Sequence, residues 1–195
     1  MIHPHTEIKY IGEEIGYGVI ATDFIPKGTI TWVLDKFDRE FTPAEFDELE
    51  PIYKDILDTY AYKNNQGNLV LCWDNARFVN HSFRSNCLTT AYNFELAVRD
   101  IHPGEQLTDD YGYLNIDRPF RGIDEGTKRK TVYPNDLLKY HKVWDAQLRS
   151  AFGNFSKVNQ PLRSLIREDV WRTALQIENG EIEMQSILTN YHFNQ

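Results

Sequence analysis

The apolar residues of this chain follow one pattern up to about residue 113 and a different pattern after it. In the first part, short apolar runs rich in β-branched and aromatic residues alternate with turns that contain glycine or proline. Such a pattern predicts β-strands separated by tight turns. The predicted strands are residues 7–11, 19–21, 29–34, 69–73 and 91–98. Residues 80–86 are polar and are predicted to form a loop between the last two strands.

One predicted helix interrupts these strands. Thr42 is followed by Pro43 and, three positions after the threonine, by Glu45. This is the pattern of an N-terminal capping box with proline at the first helical position, so a helix is predicted over residues 43–60. Apolar side chains recur along it at helical spacing and are predicted to form its buried face. They are Phe46, Leu49, Tyr53, Ile56 and Leu57.

After residue 113 the pattern changes twice. Residues 115–134 contain several glycines and prolines and the basic run Lys128-Arg129-Lys130, and they are predicted to form a loop. From residue 135 the spacing becomes helical, which predicts one helix from there, a second over 161–178 and a third over 181–191, with Gly180 in the last break. The predicted apolar face of the first helix consists of Leu137, His141, Trp144, Leu148 and Phe152.

Length and charge limit the classes of function. A chain of 195 residues can hold one domain with an appendage, and 41% hydrophobic residues are typical of a folded protein. The formal net charge of −8 argues against direct binding of nucleic acid, which needs a basic face. The acidity suits a basic partner such as a lysine-rich peptide, and it suits simple solubility equally well.

The sequence predicts a soluble, intracellular protein. Its two cysteines, Cys72 and Cys87, are too few for a four-thiolate zinc site and indicate free thiols in a reducing compartment; no metal site is predicted. The N-terminus has no charged region followed by an apolar one, so no signal peptide is expected. No apolar run approaches the roughly 20 residues of a membrane span. Cytoplasmic and nuclear locations both remain open.

Three polar segments carry the candidate chemistry: residues 16–18, residues 80–87 and residues 104–112. The glycines of the first segment let the backbone approach a ligand, although the third glycine of a dinucleotide fingerprint is missing. A hydrolase triad of Ser82, His81 and Asp110 is disfavoured because sequence neighbours seldom form a triad and no nucleophile elbow is present. Together the segments indicate a group-transfer site.

These segments resemble the signatures of the SET-domain protein lysine methyltransferases. Gly16-Tyr17-Gly18 with Ile25-Pro26-Lys27-Gly28 resembles the opening of that domain, Arg77 to Ser82 with Asn86-Cys87 its second signature, and Gly104 to Gly112 its third, in the family's order. The resemblance covers about residues 6–113. It implies a mainly β fold with α-helices, a β-clip-like set of small sheets with knot-like threading, plus a helical C-terminal extension.

The resemblance also implies a division of the chain into three parts. The first is a SET domain over residues 6–114, with a helical insert at about 43–60. The second is a post-SET-like loop over residues 115–134 that lacks cysteines, and the third is the helical extension over residues 135–195.

The resemblance further implies S-adenosyl-L-methionine as the methyl donor. The residues expected to bind this cofactor are Gly16, Tyr17, Gly18, Asn80 and His81. Tyr111 would be the catalytic tyrosine at the methyl-transfer pore, and Tyr60 a second catalytic tyrosine in the lysine channel. A lysine amine attacks a methyl group only when neutral, although its free pKa is about 10.4. Burial in an aromatic channel beside a sulfonium favours the neutral amine, and a tyrosine hydroxyl can orient its lone pair.

Two departures from the family pattern affect the lysine channel. Asp109 stands two positions before Tyr111, where many members carry Phe or Tyr, so its side chain would either change the polarity of the channel or point elsewhere. Many members also carry a cysteine-rich zinc segment after the domain, which is missing here. The helices from residue 135 onward are therefore predicted to close the channel. Tyr113, Phe120 and Tyr133 are candidates for its aromatic wall, with ordinary packing as the alternative.

The predicted function is transfer of a methyl group from S-adenosyl-L-methionine to a lysine side chain of a protein or peptide, with histones and ribosomal proteins as candidate substrates. Two alternatives stay open: a non-catalytic SET-fold protein that binds peptides or partners, and a methyltransferase for a non-protein amine. A homodimer through the C-terminal helices, formed by the face that contains Leu137, Trp144 and Leu148, is a further prediction.

Overall fold

Short strands in five small sheets are distributed over the first 132 residues, as seen in a computed structural model that describes residues 1–193. The strands are β1 Thr6–Gly12, β2 Gly16–Ala21, β3 Ile30–Val33, β4 Arg39–Phe41, β5 Ala61–Lys63, β6 Leu69–Leu71, β7 Asn80–His81, β8 Cys87–Thr89, β9 Phe94–Ala97, β10 Thr108–Asp109, β11 Phe120–Arg121 and β12 Thr131–Val132. The α-helices within the described residues are α1 Pro43–Glu48, α2 Pro51–Tyr60, α3 Asp136–Phe152 and α4 Glu168–Glu178.

Four of the sheets are antiparallel and one is parallel. The antiparallel sheets have the orders β1-β2, β3-β9-β8, β4-β6-β5 and β11-β12. In the parallel pair, Asn80 of β7 lies beside Thr108 of β10 and His81 lies beside Asp109. The predicted loop over residues 80–86 therefore begins with a strand. The mixed fold of small sheets and helices is as predicted, whereas the knot-like threading stays a prediction.

The predicted helix over residues 43–60 is two helices. The capping box is present, because the Thr42 side chain accepts from the backbone of Glu45 and the Glu45 carboxylate accepts from the backbone of Thr42. The helix breaks before Pro51, where the preceding residues Leu49 and Glu50 have extended backbones. Proline disfavours the helical conformation in the residue before it. The predicted buried face was also wrong, since Leu57 is buried and Tyr53 and Ile56 are exposed.

The C-terminal part contains two α-helices where three were predicted. Helix α3 begins at Asp136 as expected, and α4 begins at Glu168, after a short 3₁₀ turn over Arg163–Leu165. The predicted third helix over 181–191 was wrong. Its residues are irregular, with one 3₁₀ turn over Ile187–Asn190. Gly180 has a φ of 71° and lies in the predicted break, where a left-handed backbone suits glycine.

The largest hydrophobic core lies between the β3-β9-β8 sheet and the C-terminal helices. Leu137, Trp144 and Leu148 of α3 are buried there within the chain itself. This face is therefore not available to form the predicted homodimer interface, and that part of the prediction was wrong. A homodimer through other residues of the C-terminal helices stays a prediction.

Candidate active site

The parallel pairing of β7 with β10 places two of the predicted site segments side by side. The backbone N–H of Ser82 donates to the carbonyl of Asp109 at 2.9 Å. Tyr111 follows β10, and its backbone N–H donates to Nδ1 of His81 at 3.2 Å. The rings of His81 and Tyr111 lie 5.3 Å apart. This pair of strands therefore brings the predicted cofactor-binding histidine to the predicted catalytic tyrosine.

The glycine segment of β2 packs against Asn80. The Asn80 side chain donates through Nδ2 to the carbonyl of Tyr17 at 3.0 Å and to Oε1 of Gln106 at 3.2 Å. A Cβ atom on Gly18 would lie 2.7 Å from Nδ2 of Asn80 and 2.6 Å from Oε1 of Gln106, so a side chain there would displace both of these groups. At Gly16 the φ is 80° and a Cβ would meet no atom within 4 Å. The backbone of residues 16–18 is thus open on one side and held by Asn80 on the other.

His81 presents an unpartnered ring nitrogen in an aromatic environment. Burial is the main cause that lowers the pKa of His81, so the ring is neutral near pH 7. Because Nδ1 accepts from Tyr111, the proton lies on Nε2, which is buried and has no hydrogen-bond partner within residues 1–193. The rings of Phe83 and Phe120 lie 4.4 and 5.6 Å from the His81 ring. This nitrogen is available as a donor to a ligand.

Tyr111 holds its hydroxyl in a fixed position. The hydroxyl donates to the carbonyl of Val79 at 2.8 Å. Burial, with a smaller contribution from the charge of Asp109, raises the pKa of Tyr111, so the phenol stays protonated across the physiological range. A phenol has one proton to donate. Toward any other group, the Tyr111 oxygen can therefore only accept a hydrogen bond.

A cavity of about 710 Å³ opens on the other side of Tyr111. Its lining includes the rings of five aromatic residues, Trp32, Tyr60, Tyr62, Tyr111 and Tyr113. The charged residues around it are five acids and three bases, which makes the cavity acidic overall. His81 and residues 16–18 are not part of this lining. Tyr111 contacts His81 and also lines the cavity, so it lies between the two sides of the site.

The structure thus sorts the predicted site residues into two groups. Gly16, Tyr17, Gly18, Asn80 and His81 lie together on one side of Tyr111. Tyr60, at the end of α2, lies on the cavity side, 37% exposed and with its ring 5.3 Å from that of Phe78. Tyr60 and Tyr111 therefore line one cavity, as a shared channel requires.

The wall of the cavity opposite α2 comes from loops rather than from the predicted helices. Its residues include the segment after Tyr113 and, near the C-terminus, Gln185, Thr189 and Asn190, whereas α3 and α4 contribute none. Of the three candidate aromatic residues, Tyr113 lines the cavity, Phe120 faces His81, and Tyr133 is exposed. The prediction that the helices from residue 135 onward close the channel was wrong.

Asn115 ties this loop wall together. Its Nδ2 donates to the carbonyls of Lys63 at 3.0 Å and Asn190 at 2.8 Å, and its Oδ1 accepts from the backbone N–H of His192 at 3.0 Å. Its φ of 53° is a left-handed conformation that asparagine tolerates better than most residues. One side chain therefore joins β5, the loop after Tyr113 and the C-terminal segment.

Arg129 connects the cysteine-free loop to the rest of the site. Its guanidinium pairs with Asp110, beside Tyr111, and with Asp136 at 2.7 Å. It also lies over the rings of Phe83 and Tyr140, at 4.9 and 4.6 Å from their centroids. Both carboxylates are nearly fully buried. The ion pairs and ring contacts hold the loop in place without cysteine ligands.

The cavity contains a buried pair of carboxyl groups, Glu95 of β9 and Asp109 of β10. Asp109 is 7% exposed, and its Oδ1 has no hydrogen-bond partner within the described chain. Burial is the largest cause that raises the pKa of Asp109 to about 7; hydrogen bonds from Tyr113 and Glu95 oppose the rise. Burial, followed by the charge of Asp109, raises the pKa of Glu95 well above its usual range.

Several of these residues were not predicted from the sequence. Glu95 has a recognisable signal, a single charged residue in the apolar strand Phe94–Ala97, although that signal says nothing of its partner. Gln106, Asn115 and the partners of Arg129 are defined by contacts between distant segments, for which the sequence carries no local pattern. Asp109 was noted as a departure from the family pattern, and in the structure it lines the cavity.

The fold and site define a mixed α/β protein in which a tyrosine separates a glycine-rich polar face from an aromatic, acidic cavity. The family model described as "SET domain" matches residues 16–112 of the chain. The chain therefore belongs to the SET-domain family, as its sequence signatures predicted. This is a methyltransferase-type family whose methyltransferases generally use S-adenosylmethionine. A search of curated proteins finds no match to the chain.

Within residues 1–193, no helix is both long enough and apolar enough to cross a bilayer.

Proposed function

We propose that the protein transfers a methyl group from S-adenosylmethionine to the side-chain amine of a lysine in a protein substrate. The position of Tyr111 carries the proposal. It contacts His81 on the polar face and lines the acidic cavity on the other side. A transfer between two ligands that enter from opposite sides needs such a meeting point.

The residues of the polar face fit the cofactor. The backbone at Gly16 and Gly18 is bare of side chains, His81 offers a buried N–H without a partner, and the rings of Phe83 and Phe120 flank it. A flat, heteroaromatic group with a polar edge suits this donor set. Residues 16–18, Asn80 and His81 would hold the cofactor, which supplies a methyl group activated on a sulfonium when bound.

The cavity fits a lysine side chain. Aromatic rings contact its aliphatic stem and attract its cationic end, and the acidic lining favours a basic substrate over an acidic one. Entry into this buried space also disfavours the ammonium form, since charge is costly to desolvate. The cavity thus selects a basic side chain and prepares the neutral amine that can react.

Tyr111 orients that amine. Because its proton is donated to Val79, its oxygen accepts an N–H from the substrate and so directs the amine lone pair away from itself. Its raised pKa keeps it neutral, so it places no negative charge beside the amine. The contribution is alignment for in-line transfer, which is worth several kcal/mol in well-oriented reactions, or about 10² to 10⁴ in rate.

The cofactor side is tested by calorimetric titration with S-adenosylmethionine. We expect binding by the intact chain and at least roughly tenfold weaker binding by Asn80→Ala, because this variant frees the glycine segment from its partner. Asn159→Ala is the matched control, since Asn159 is exposed and its side chain makes no hydrogen bond within residues 1–193. Absence of binding by the intact chain would overturn the proposed cofactor.

Catalysis is tested with radiolabelled methyl transfer to core histones, ribosomal proteins and free lysine. We expect transfer to a protein substrate and a drop in kcat of roughly 100-fold for Tyr111→Phe, with cofactor affinity nearly unchanged. Tyr133→Phe should keep the full rate, because the Tyr133 ring is exposed and outside the cavity. Transfer to free lysine alone would support the non-protein amine instead. Equal rates for Tyr111→Phe and the parent would remove Tyr111 from its role.

A further inference from the structure

The cavity holds a carboxyl pair that the transfer of a methyl group does not by itself require. Asp109 lies on β10 two residues before Tyr111, and its carboxylate lies close enough to that tyrosine to affect its pKa. Glu95 reaches Asp109 from β9, the central strand of the neighbouring sheet. Buried carboxyl groups without a cationic partner are rare, because charge is costly to desolvate. Asp109 lines the cavity, and a buried carboxyl group with an oxygen that has no partner in the described chain points to a ligand.

The titratable groups near this pair are either neutral near pH 7 or paired with an opposite charge. The phenols and thiols near it have raised pKa values, so they are neutral near pH 7; these are Tyr62, Cys72, Cys87, Tyr111 and Tyr113. Two charged groups also affect the pair, Asp110 and the N-terminal ammonium. Asp110 forms an ion pair with Arg129, and the N-terminal ammonium forms one with Asp35 at 2.9 Å.

Protons are shared unequally within the pair. The hydrogen bond between the two carboxyl groups raises the pKa of Glu95 and lowers that of Asp109. As pH rises, Asp109 therefore loses its proton before Glu95 does. Near pH 7 the pair thus carries about half a negative charge, which is centred on Asp109. When it is ionised, the Asp109 carboxylate can accept a proton.

We infer that Asp109, supported by Glu95, accepts the proton that a substrate ammonium must lose before it can be methylated. The inference rests on the proposed function and adds to it a general base in the channel. Two carboxyl groups of this kind fit a cationic amine and no anionic substrate, which restricts the substrate class to basic amines.

The proton transfer balances as follows. An N–H bond of the ammonium breaks, its electron pair stays on nitrogen, and an O–H bond forms on the carboxylate of Asp109. The neutral amine would then take the methyl group that bound S-adenosylmethionine supplies, and the electron pair of the broken carbon–sulfur bond would stay on sulfur. The product is a methylammonium, and Asp109 releases its proton to water through the open cavity.

A first experiment reads the pair without any catalysis. The carboxyl carbons of ¹³C-labelled protein are titrated by NMR from pH 5 to 9, in the parent, Asp109→Asn and Glu95→Gln. We expect one carboxyl signal of the parent to titrate near pH 7 and to disappear in Asp109→Asn. Saturating n-butylammonium should move this titration at least one pH unit lower, because a cation stabilises the carboxylate. Uncharged 1-butanol of the same length should leave it in place.

This experiment can overturn the inference whether or not the protein proves to be an enzyme. The inference would be wrong if both carboxyl groups titrated below pH 5. It would also be wrong if n-butylammonium did not change the titration of the Asp109 signal. Failure of the parent to bind S-adenosylmethionine would instead overturn the proposed function and would show in calorimetry, not in this titration.

A second experiment measures methyl transfer against pH, with the substrate that the radiolabel assay identifies. For the parent, kcat/KM should rise with an apparent pKa near 7; for Asp109→Asn, the rate at pH 7 should fall by roughly 100-fold and recover toward pH 10, where solution supplies neutral amine. For Glu95→Gln, kcat/KM should still fall at low pH, but the apparent pKa of this fall should differ from that of the parent. Asp55→Asn, a change on the exposed surface of α2, should reproduce the parent profile. A parent-like profile in Asp109→Asn would refute the inference, whereas a merely structural defect would lower the rate equally at every pH.

Discussion

At the scale of single residues, the buried carboxyl of Asp109 makes stability depend on pH. Its pKa is about 7 in the folded protein and near 3.9 in an unfolded chain, so the folded state binds more protons between these values. Stability is therefore lost as pH rises through this window, and the loss is complete above about pH 7. This is the reverse of the usual effect of a salt-bridged carboxylate.

Asp109→Asn should remove this dependence. We expect its melting temperature, relative to that of the parent, to rise by roughly 5 °C between pH 5 and pH 8, because the variant has no charge to bury. Thermal unfolding followed by circular dichroism at both pH values gives the result. The comparison between pH values cancels the constant cost of the buried amide. Asp55→Asn should show no such trend, and a flat difference for Asp109→Asn would mean that Asp109 ionises freely in the folded protein.

The predictability of the site residues follows from how local their signals are. Gly16, Gly18, Asn80 and Tyr111 lie in contiguous motifs, so the sequence was sufficient to select them, and the structure brings them together through the β7-β10 pair. That pairing links segments about 28 positions apart, for which no local pattern exists. Glu95 was missed for the same reason, because its meaning depends on the strand that faces it.

At the scale of elements, Arg129 determines whether the loop of residues 114–134 stays on the site. It is the cation for two buried carboxylates, Asp110 and Asp136, and it stacks on aromatic rings of two other elements. Removing one partner from a buried ion pair leaves a charge without compensation, which typically costs about 3–5 kcal/mol. The loop therefore depends on one side chain much as zinc-bound segments depend on their metal.

Arg129→Met should accordingly lower the melting temperature by roughly 10 °C and weaken S-adenosylmethionine binding, since Phe120 in β11 of this loop packs against His81. Arg129→Lys should recover only part of the loss, because one ammonium cannot replace a planar fork that pairs with two carboxylates. Lys128→Met, at an exposed neighbouring position, is the control and should be nearly neutral. Equal melting temperatures for both methionine variants would contradict the role of Arg129.

The elements themselves were predicted to different degrees. The early strands, the capping box at Thr42 and helix α3 were confirmed, because each has a strong local signal. The break before Pro51 also has a local signal, the proline itself. The prediction of one helix followed the apolar spacing on both sides of this proline instead. The α-helix predicted near Ile187 is absent for a tertiary reason, since the side chain of Ser186 and the backbone of Ile187 both donate to Asp145 of α3 and fix the start of a 3₁₀ turn there.

At the scale of the whole molecule, the cavity is assembled from both ends of the chain. Helix α2 and β5 form one side, and the C-terminal segment closes the other. The family match ends at residue 112, so this closure lies outside the matched domain. Channel closure in this protein is thus a set of long-range hydrogen bonds, and Asn115 is the residue that joins the C-terminal segment to both β5 and the loop after Tyr113.

Asn115→Gly should open this wall without disturbing the backbone, because glycine accepts the left-handed φ of 53° while all three side-chain hydrogen bonds are lost. We expect faster hydrogen exchange over residues 188–192 and a higher KM for the protein substrate, with kcat nearly kept, because Thr189 and Asn190 line the cavity away from the polar face. Asn93→Gly makes the same change at an exposed left-handed residue, with a φ of 60°, whose side chain makes no hydrogen bond in the described chain. It should leave exchange over residues 188–192 as in the parent. If both variants exchange alike, closure does not depend on Asn115, and the hydrogen bonds of the segment with Asn65 and Thr90, together with the buried side chain of Ile187, are sufficient to hold it.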